Sequence, residues 1–180
     1  MVRKKLQGTK TFNNIMAAFS GESMARNKYD LWAEIARREG YEQIADLFEE
    51  TAANEKAHAR RLLSLIGLDE GTAAYLAQAA DGERYEHTQM YPEFERIAKE
   101  EGFDDVAEVF REIAEVEEYH EERFLALKAN IEQGKVFKRD EVVEWKCRNC
   151  GYIHKGTEPP KNCPACGYPQ NYYELRAKNW

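Results

Sequence analysis

Apolar side chains recur every three or four residues through most of the first 132 positions, which is the period of amphipathic helices. Glycines interrupt this pattern at four places, Gly40, Gly67, Gly102 and Gly134. The pattern and its interruptions predict four helices, over residues 11–39, 42–66, 72–101 and 104–132. Pro92 lies inside the third of them and predicts a kink near Tyr91.

Two of these helices carry a carboxylate and an imidazole in the middle of their apolar stripe. The stripes are Ile44, Phe48, Thr51, Glu55, His58, Leu62 and Leu65, and Val106, Phe110, Ile113, Glu117, His120, Phe124 and Leu127. In each stripe the Glu and the His are three residues apart, so they share one face of the helix. A buried carboxylate is costly unless it is paired or bound to a metal. The same insertion at the same depth of two helices therefore indicates a shared metal site.

The helical region contains an internal repeat with an offset of 62 residues. The offset takes Gly40, Ala45, Phe48, Ala52, Glu55 and His58 to Gly102, Ala107, Phe110, Ala114, Glu117 and His120. Gly21-Glu22 matches Gly82-Glu83 with one residue of slip. The repeat predicts a four-helix bundle with pseudo-two-fold symmetry, in which a site on the axis takes the same ligands from each half.

Glu22 and Glu83 supply one inward carboxylate on each of the other two helices. Two such Glu residues and two Glu-x-x-His motifs form the ligand set of ferritin-like di-iron proteins. Glu86, one turn after Glu83, has Ala25 as its counterpart and is a fifth candidate carboxylate. The alternatives are a bundle whose inward Glu and His residues are only hydrogen-bonded, and a Glu86 that is solvated.

Three further side chains near these motifs are weaker candidates. Tyr29 and Tyr91 fall on the same stripe, where they would either hydrogen-bond the ligand carboxylates or belong to an ordinary aromatic core. His87 follows Glu86 directly and therefore points elsewhere, so we expect it not to be a ligand.

All the cysteines occur in two C-x-x-C pairs, Cys147, Cys150, Cys163 and Cys166. Each pair is followed by Gly-Tyr, and the glycine allows a tight turn that points backbone amides at the sulfurs. Four thiolates at this spacing bind one tetrahedral ion, either Zn(II) or Fe. A segment of about forty residues has a small core, so the metal is expected to fold it. We predict a bundle over residues 1–134, a linker over 135–144 and a metal-binding domain over 145–180.

The composition of the chain argues against some classes of partner and bears on the cellular compartment. The chain has 180 residues and a net charge of −7, which argues against nucleic acid and anionic membranes as partners. No apolar run approaches the ~18 residues of a membrane span. The first five residues, MVRKK, are not followed by the apolar stretch of a signal peptide. The cysteine pattern does not require an oxidising compartment, so we expect a cytoplasmic protein.

In combination, these motifs resemble those of the rubrerythrin family. The resemblance rests on Gly21-Glu22-Ser23-x-Ala25-Arg26-Asn27, Glu55-x-x-His58, Gly82-Glu83-x-x-Glu86, Met90-Tyr91-Pro92 and Glu117-x-x-His120. The segment from Cys147 to Cys166 is similar to rubredoxin with a short central loop. The resemblance implies an all-α, ferritin-like four-helix bundle followed by a small C-terminal rubredoxin-like β domain.

The resemblance also implies a ligand set and an activity. It assigns two irons to Glu22, Glu55, His58, Glu83, Glu86, Glu117 and His120, and one iron to Cys147, Cys150, Cys163 and Cys166. In the family, one iron exchanges a glutamate for a histidine between oxidation states, and Glu86 and His58 match those positions. Zinc is a possible occupant of either site.

The activity implied is the reduction of hydrogen peroxide to water in the cytoplasm, by a head-to-tail homodimer. Electrons would come from an NAD(P)H-linked reductase or a rubredoxin, through the cysteine-bound iron. The connection Leu68-Asp69-Glu70-Gly71 is short compared with some members, which leaves open an exchange of helices between subunits.

Two other functions are compatible with parts of the pattern. A ferritin-like ferroxidase or iron store shares the bundle and most ligands, but it does not account for Glu86 or the cysteine module. A non-enzymatic interaction module with a zinc ribbon accounts for the cysteines alone. A hollow, iron-loaded cage would favour the first, and a colourless protein that contains only zinc would favour the second.

Overall fold

The structure is a computed structural model that describes residues 3–67 and 70–180. Met1, Val2 and two residues of the short connection, Leu68 and Asp69, lie outside the described residues. The chain divides into two compact units, residues 1–71 and 72–180. The predicted fold class is confirmed, because the described residues form four long helical segments and a small C-terminal three-stranded sheet with a four-cysteine cluster.

The first unit is a helical hairpin preceded by a short helix, α1 (Arg3–Leu6). Its long helices are α2 (Lys10–Arg38) and α3 (Glu42–Ile66). The Thr9 hydroxyl caps the start of α2 by accepting a hydrogen bond from the Phe12 amide. At the turn between α2 and α3, Gly40 has a φ of 87°, a left-handed conformation that glycine adopts without strain.

The two helices of the first hairpin meet through alanines. Ala33 and Ala36 of α2 are buried with Ala45 of α3, and Phe48 packs against them. Further along α3 the buried positions are again alanines. Ile44, another residue of the predicted stripe, lies outside this contact and is 47% exposed. Only part of the predicted stripe therefore takes part in the contact between α2 and α3.

The second unit begins with a similar hairpin. Its helical elements are α4 (Thr72–Tyr85), a π-helical turn (Glu86–Met90), α5 (Tyr91–Glu100) and α6 (Asp104–Glu132). Gly102 has a φ of 83° and forms the same turn as its counterpart in the first hairpin. Ala98 and Ala107 are buried, as are the matching residues 62 positions earlier.

The predicted kink near Tyr91 is instead a π-helical turn that precedes this residue. The Tyr91 amide donates to the Glu86 carbonyl, five residues back. Pro92 follows in the first turn of α5, where proline is tolerated. The offset between the repeats rises from 61 at Glu22 and Glu83 to 62 at Tyr29 and Tyr91, so the second hairpin has one extra residue in this interval. The π turn accommodates this residue.

The C-terminal module is an antiparallel sheet with strand order β2-β1-β3. The strands are β1 (Val143–Cys147), β2 (Ile153–Gly156) and β3 (Tyr173–Leu175), with a 3₁₀ turn (Gln170–Tyr172) before β3. Trp145 is fully buried with Cys147, Cys163 and Tyr173, and its indole nitrogen donates to the Gly156 carbonyl at 3.0 Å. The module thus packs its small core directly against the cysteines. The domain boundaries at 134 and 145 remain predictions.

No described helix has both the length and the hydropathy needed to cross a bilayer.

Candidate metal centres

The first hairpin brings together Glu22 of α2 with Glu55 and His58 of α3. One ligand atom from each of these side chains lies within 4.8 Å of the other two. His58 Nδ1 is 2.7 Å from a Glu55 carboxylate oxygen and 3.8 Å from a Glu22 oxygen. Glu55 is only 17% exposed, so its carboxylate faces these partners rather than solvent.

The second hairpin repeats this arrangement with Glu83 of α4 and with Glu117 and His120 of α6. Their ligand atoms also lie within 4.8 Å of one another. His120 Nδ1 is 2.6 Å from a Glu117 oxygen and 3.8 Å from a Glu83 oxygen. The internal repeat therefore extends from the sequence to the side-chain geometry, and each hairpin carries an equivalent group of two carboxylates and one imidazole.

The electrostatics of the second group favour a cation. Burial raises the pKa of Glu83, and its hydrogen bond to Glu117 and the negative charges of Glu117 and Glu86 raise it further. Two carboxyl groups that share a proton in a partly buried position have oxygens placed for a common positive charge. Carboxylate oxygen with imidazole nitrogen suits iron, zinc or manganese, so the residues present fit a metal ion.

Glu86 is half-buried at the first position of the π turn. Its charge contributes to the raised pKa values of Glu83 and Tyr91, so it lies close to both. Among the described residues it is not part of the compact three-residue group. The structure thus places this carboxylate beside the group, and its assignment as a fifth carboxylate ligand remains a prediction.

The two predicted supporting tyrosines lie in matching aromatic clusters, Tyr29–Trp32–Phe48 and Tyr91–Phe94–Phe110. Burial and the charges of Glu86, Glu117 and Glu83 raise the pKa of Tyr91. Its phenol therefore lies near the second group and stays protonated at neutral pH. The predicted hydrogen bonds from both tyrosines to ligand carboxylates remain predictions.

An ion cluster beside the second group was not anticipated from the sequence. The Glu121 carboxylate accepts from Arg84 Nε at 2.6 Å and lies 2.7 Å from His87 Nε2. Glu121 and His87 are only 12% and 15% exposed. Arg84 and His87 lie on either side of Tyr85 and Glu86 in the sequence. Because Glu121 of α6 contacts both of them, it holds the start of the π turn in place. His87 is engaged in this cluster, and its exclusion from the ligand set remains a prediction.

We expect the Glu121→Ala variant to bind metal about tenfold more weakly at the carboxylate sites, a typical effect of removing a supporting partner. The reason is that Arg84 and His87 lose their shared acceptor, and the π turn that presents Glu86 loses its link to α6. Competition with a chelator measures the affinity. Glu122→Ala, an exposed neighbour on the same helix, is the matched control and should bind metal as the unchanged chain does. Equal affinities in the two variants would contradict a supporting role for Glu121.

The four cysteines form a compact cluster in the C-terminal module. Their sulfurs lie within 4.8 Å of one another, with 3.8 Å between Cys147 and Cys166 and 3.7 Å between Cys150 and Cys163. A tetrahedral ion with metal–sulfur bonds of about 2.3 Å requires sulfur–sulfur separations of about 3.8 Å. The cluster therefore already has the dimensions of a tetrahedral thiolate site.

Two matching turns hold the sulfurs in place. The Gly151 and Gly167 amides donate to the carbonyls of Cys147 and Cys163, both at 2.8 Å. Both glycines have positive φ, 80° and 74°. The tight turn expected from the glycine after each C-x-x-C pair is therefore present.

The pKa values of two cysteines in the cluster are shifted in opposite directions. Burial acts to raise the pKa of Cys163, but hydrogen bonds to its sulfur, including those from the Ala165 and Cys166 amides, outweigh it and lower that pKa to about 6. The Tyr152 amide acts to lower the pKa of Cys150, but burial and the neighbouring sulfurs raise it to about 12. Four thiolates therefore coexist only when a cation balances them, which is the condition for a metal site.

Comparison with known families identifies both parts of the chain. Residues 13–128 match the family model described as Rubrerythrin. Residues 145–174 match the model of the rubredoxin-like domain of rubrerythrin. The chain belongs to the rubrerythrin family. The rubrerythrin of Nitratidesulfovibrio vulgaris is 45% identical over 98% of this chain and 100% of that protein.

Two further comparisons concern other members of the rubrerythrin family. The rubrerythrin of Clostridium perfringens is 48% identical over 96% of this chain and 97% of that protein. A solved structure of nigerythrin in a partially reduced state is 36% identical, covers 93% of this chain and 87% of that chain, and has a TM-score of 0.37.

Membership of the rubrerythrin family settles the predicted cofactors. The family has a di-iron site and a rubredoxin-like iron site, and this chain has carboxylate–histidine groups and a four-cysteine cluster for them. The relatives indicate an oxidoreductase. The assignment of individual side chains to the two irons, Glu86 included, stays a prediction.

Proposed function

We propose that this protein reduces hydrogen peroxide to two molecules of water. The site is a di-iron centre held by Glu22, Glu55, His58, Glu83, Glu86, Glu117 and His120. The observation that carries the proposal is the presence in one chain of two unlike ligand sets, a matched pair of Glu–Glu–His groups and a cysteine cluster already spaced for a tetrahedral metal ion. The Glu–Glu–His groups suit two-electron chemistry, and the cysteine cluster suits the supply of single electrons.

The stoichiometry of peroxide reduction explains why the proposed reaction needs both ligand sets. Hydrogen peroxide takes up two electrons and two protons as its O–O bond breaks and two waters form. A pair of ferrous ions, when bound, supplies both electrons at one place. Iron held by Cys147, Cys150, Cys163 and Cys166 would supply electrons one at a time from an external donor, for which we propose an NAD(P)H-linked reductase or a rubredoxin.

The side chains around the carboxylate groups have definite tasks in this proposal. The five carboxylates and two imidazoles hold the ions and balance their charge. The Tyr91 phenol keeps its proton because burial and three nearby carboxylates raise its pKa, so it acts as a hydrogen-bond donor towards them. The Arg84–Glu121–His87 cluster fixes the π turn and so orients Glu86.

Iron storage is less well supported than peroxide reduction. A ferroxidase would use the Glu–Glu–His groups, but it has no use for a preformed thiolate cluster with a fully buried tryptophan beside it. An interaction module built on a zinc ribbon would not explain two equivalent carboxylate–histidine groups at the same register.

The proposal is tested by anaerobic titration of the fully reduced protein with hydrogen peroxide. We expect one equivalent of peroxide to oxidise one di-iron site, with water as the product and no release of hydroxyl radical. A His120→Ala variant with an intact cysteine cluster is the control and should react slowly. Oxidation of wild type no faster than this control, or release of radicals, would overturn the proposal.

A further inference from the structure

A crevice of about 350 Å³ lies between α2 and α3 of the first hairpin. Three of the side chains that line it are cationic, namely Arg26 of α2 and Lys56 and Arg60 of α3. None of the described residues that line it is acidic. The crevice therefore has an excess of three positive charges, whereas the chain as a whole has a net charge of −7.

These three cations are poorly neutralised within the part of the chain that the structure describes. Arg26 Nε is 3.8 Å from a carboxylate oxygen of Asp30, which is too long for a hydrogen bond, and both side chains are more than 40% exposed. No carboxylate oxygen of the described residues lies within the 4.0 Å of an ion pair from Lys56 or Arg60. Like charges that line one crevice repel each other, and a bound anion relieves this repulsion.

In the second hairpin, the corresponding position holds a carboxylate of the protein itself. Glu121, which lies 62 positions after Ala59, accepts from Arg84 Nε at 2.6 Å and lies 2.7 Å from His87 Nε2. His87 is the counterpart of Arg26 at the offset of 61 that relates Glu22 to Glu83. The second hairpin thus places an anion between two cationic side chains, at a position where the first hairpin has an alanine beside a crevice.

The charges on either side of this position are reversed between the two hairpins. Lys56 and Arg60 of the first hairpin correspond to Glu118 and Glu122 of the second. The first hairpin therefore lacks the carboxylate that links the two helices of the second, and it has cations where the second has further acidic residues. This combination is the one expected if the anion of the first hairpin comes from solution.

We propose that the crevice of the first hairpin binds the phosphate group of a small molecule. One carboxylate serves two cationic side chains in the second hairpin, whereas three cations are better balanced by a dianion with more than two oxygens. Two of the three are arginines, whose planar groups of donors match phosphate geometry. The inference does not depend on the proposed function.

The position of the crevice indicates what a bound phosphate does. Each ligand side chain of the first metal group is followed directly by a residue of the crevice, Ser23 after Glu22, Lys56 after Glu55 and Ala59 after His58. A phosphate held by cations of both helices would therefore connect α2 to α3 beside the first group, as Glu121 connects α4 and the π turn to α6 beside the second.

The size and lining of the crevice allow two sources of the phosphate. At about 30 Å³ per atom of the size of a water molecule, the crevice has room for about a dozen non-hydrogen atoms, more than a phosphate group alone provides. Part of the lining is apolar, from Phe19, Ala59 and Leu63. The ligand is therefore either inorganic phosphate or a phosphate ester with a small apolar part.

Calorimetric titration of the metal-loaded, full-length protein with inorganic phosphate tests the proposal, with chloride used to keep the ionic strength constant. We expect the Arg60→Ala variant to bind phosphate about tenfold more weakly, because a charge-assisted hydrogen bond is lost. Arg61→Ala removes the same charge from the next residue, which does not line the crevice, and should bind phosphate as the unchanged protein does. Equal affinities in the two variants would overturn the proposal.

An Ala59→Glu variant provides a second, independent measurement. It places a carboxylate at the position of Glu121, so it should abolish phosphate binding in the crevice. Phosphate that binds to the metal ions themselves would be retained in this variant, so undiminished binding would contradict a site in the crevice. Circular dichroism checks that the variant keeps its helices, and the Arg60→Ala result decides the question if it does not.

Phenyl phosphate distinguishes the two sources of the ligand. It carries the same phosphate group with an apolar ring that the crevice has room for. Tighter binding of phenyl phosphate than of inorganic phosphate, with the same loss in Arg60→Ala, would support a phosphate ester as the ligand. Tighter binding of inorganic phosphate would support the free ion. Binding of neither compound to the unchanged protein would overturn the proposal, and it would leave the proposed reduction of peroxide untouched.

Discussion

A Cys163→Ser variant, when reduced beforehand, is expected to reduce one equivalent of peroxide per di-iron site and then to stop. Cys163 is buried beside Trp145, Cys147 and Tyr173. Its pKa of about 6 makes it a thiolate at neutral pH, whereas a serine hydroxyl stays protonated and binds iron poorly. Loss of this ligand interrupts electron supply but leaves the carboxylate groups unchanged.

The measurement has two parts, a single anaerobic peroxide addition and continuous consumption of reduced donor in the presence of a reductase. The first should match wild type, and the second should fall to the rate without the protein. Lys161→Ser, at an exposed position of the same module, is the matched control and should sustain continuous turnover. Continuous turnover by the Cys163 variant would show that electrons reach the carboxylate site by another route.

The Glu86→Ala variant is expected to lose about tenfold in peroxide turnover while it keeps its carboxylate-site iron. Glu86 has an alanine as its counterpart in the first hairpin and lies beside, rather than within, the compact group of Glu83, Glu117 and His120. The three-residue group therefore survives its removal. What is lost is the carboxylate that the family resemblance assigns to the exchange between oxidation states.

Steady-state peroxide turnover and metal analysis of the same preparation check this result. Gln89→Ala, an exposed position of the same π turn, controls for disturbance of the turn itself. Turnover at the wild-type rate would refute the exchange of Glu86 as a ligand. Loss of iron would instead make Glu86 a permanent ligand.

The helices were predicted to within about one residue because two independent signals coincide at their ends. The apolar period stops, and a glycine with positive φ follows, as at Gly40 and Gly102. The cysteine cluster was predicted with equal success, because each C-x-x-C-Gly turn positions two sulfurs through local geometry and the two turns match in sequence.

Three features were not predicted, each for a physical reason. The π turn was missed because Pro92 is a strong signal for a kink, whereas a single inserted residue is visible only as a slip between the repeats. The alanine contact within the hairpin was missed because small side chains add little to an apolar pattern that larger residues such as Ile44 dominate. Glu121 was missed because a charged residue on a charged helix resembles a solvated one.

The turns around the cysteines also bear on the rate of the single-electron supply proposed above. Backbone hydrogen bonds fix the turn that contains each C-x-x-C pair. The sulfur separations already equal the edges of the coordination tetrahedron. A change in charge of the bound ion then demands little nuclear rearrangement of its ligands. The rate of electron transfer would then depend on the distance to the donor and on the driving force, rather than on rearrangement of the four thiolates.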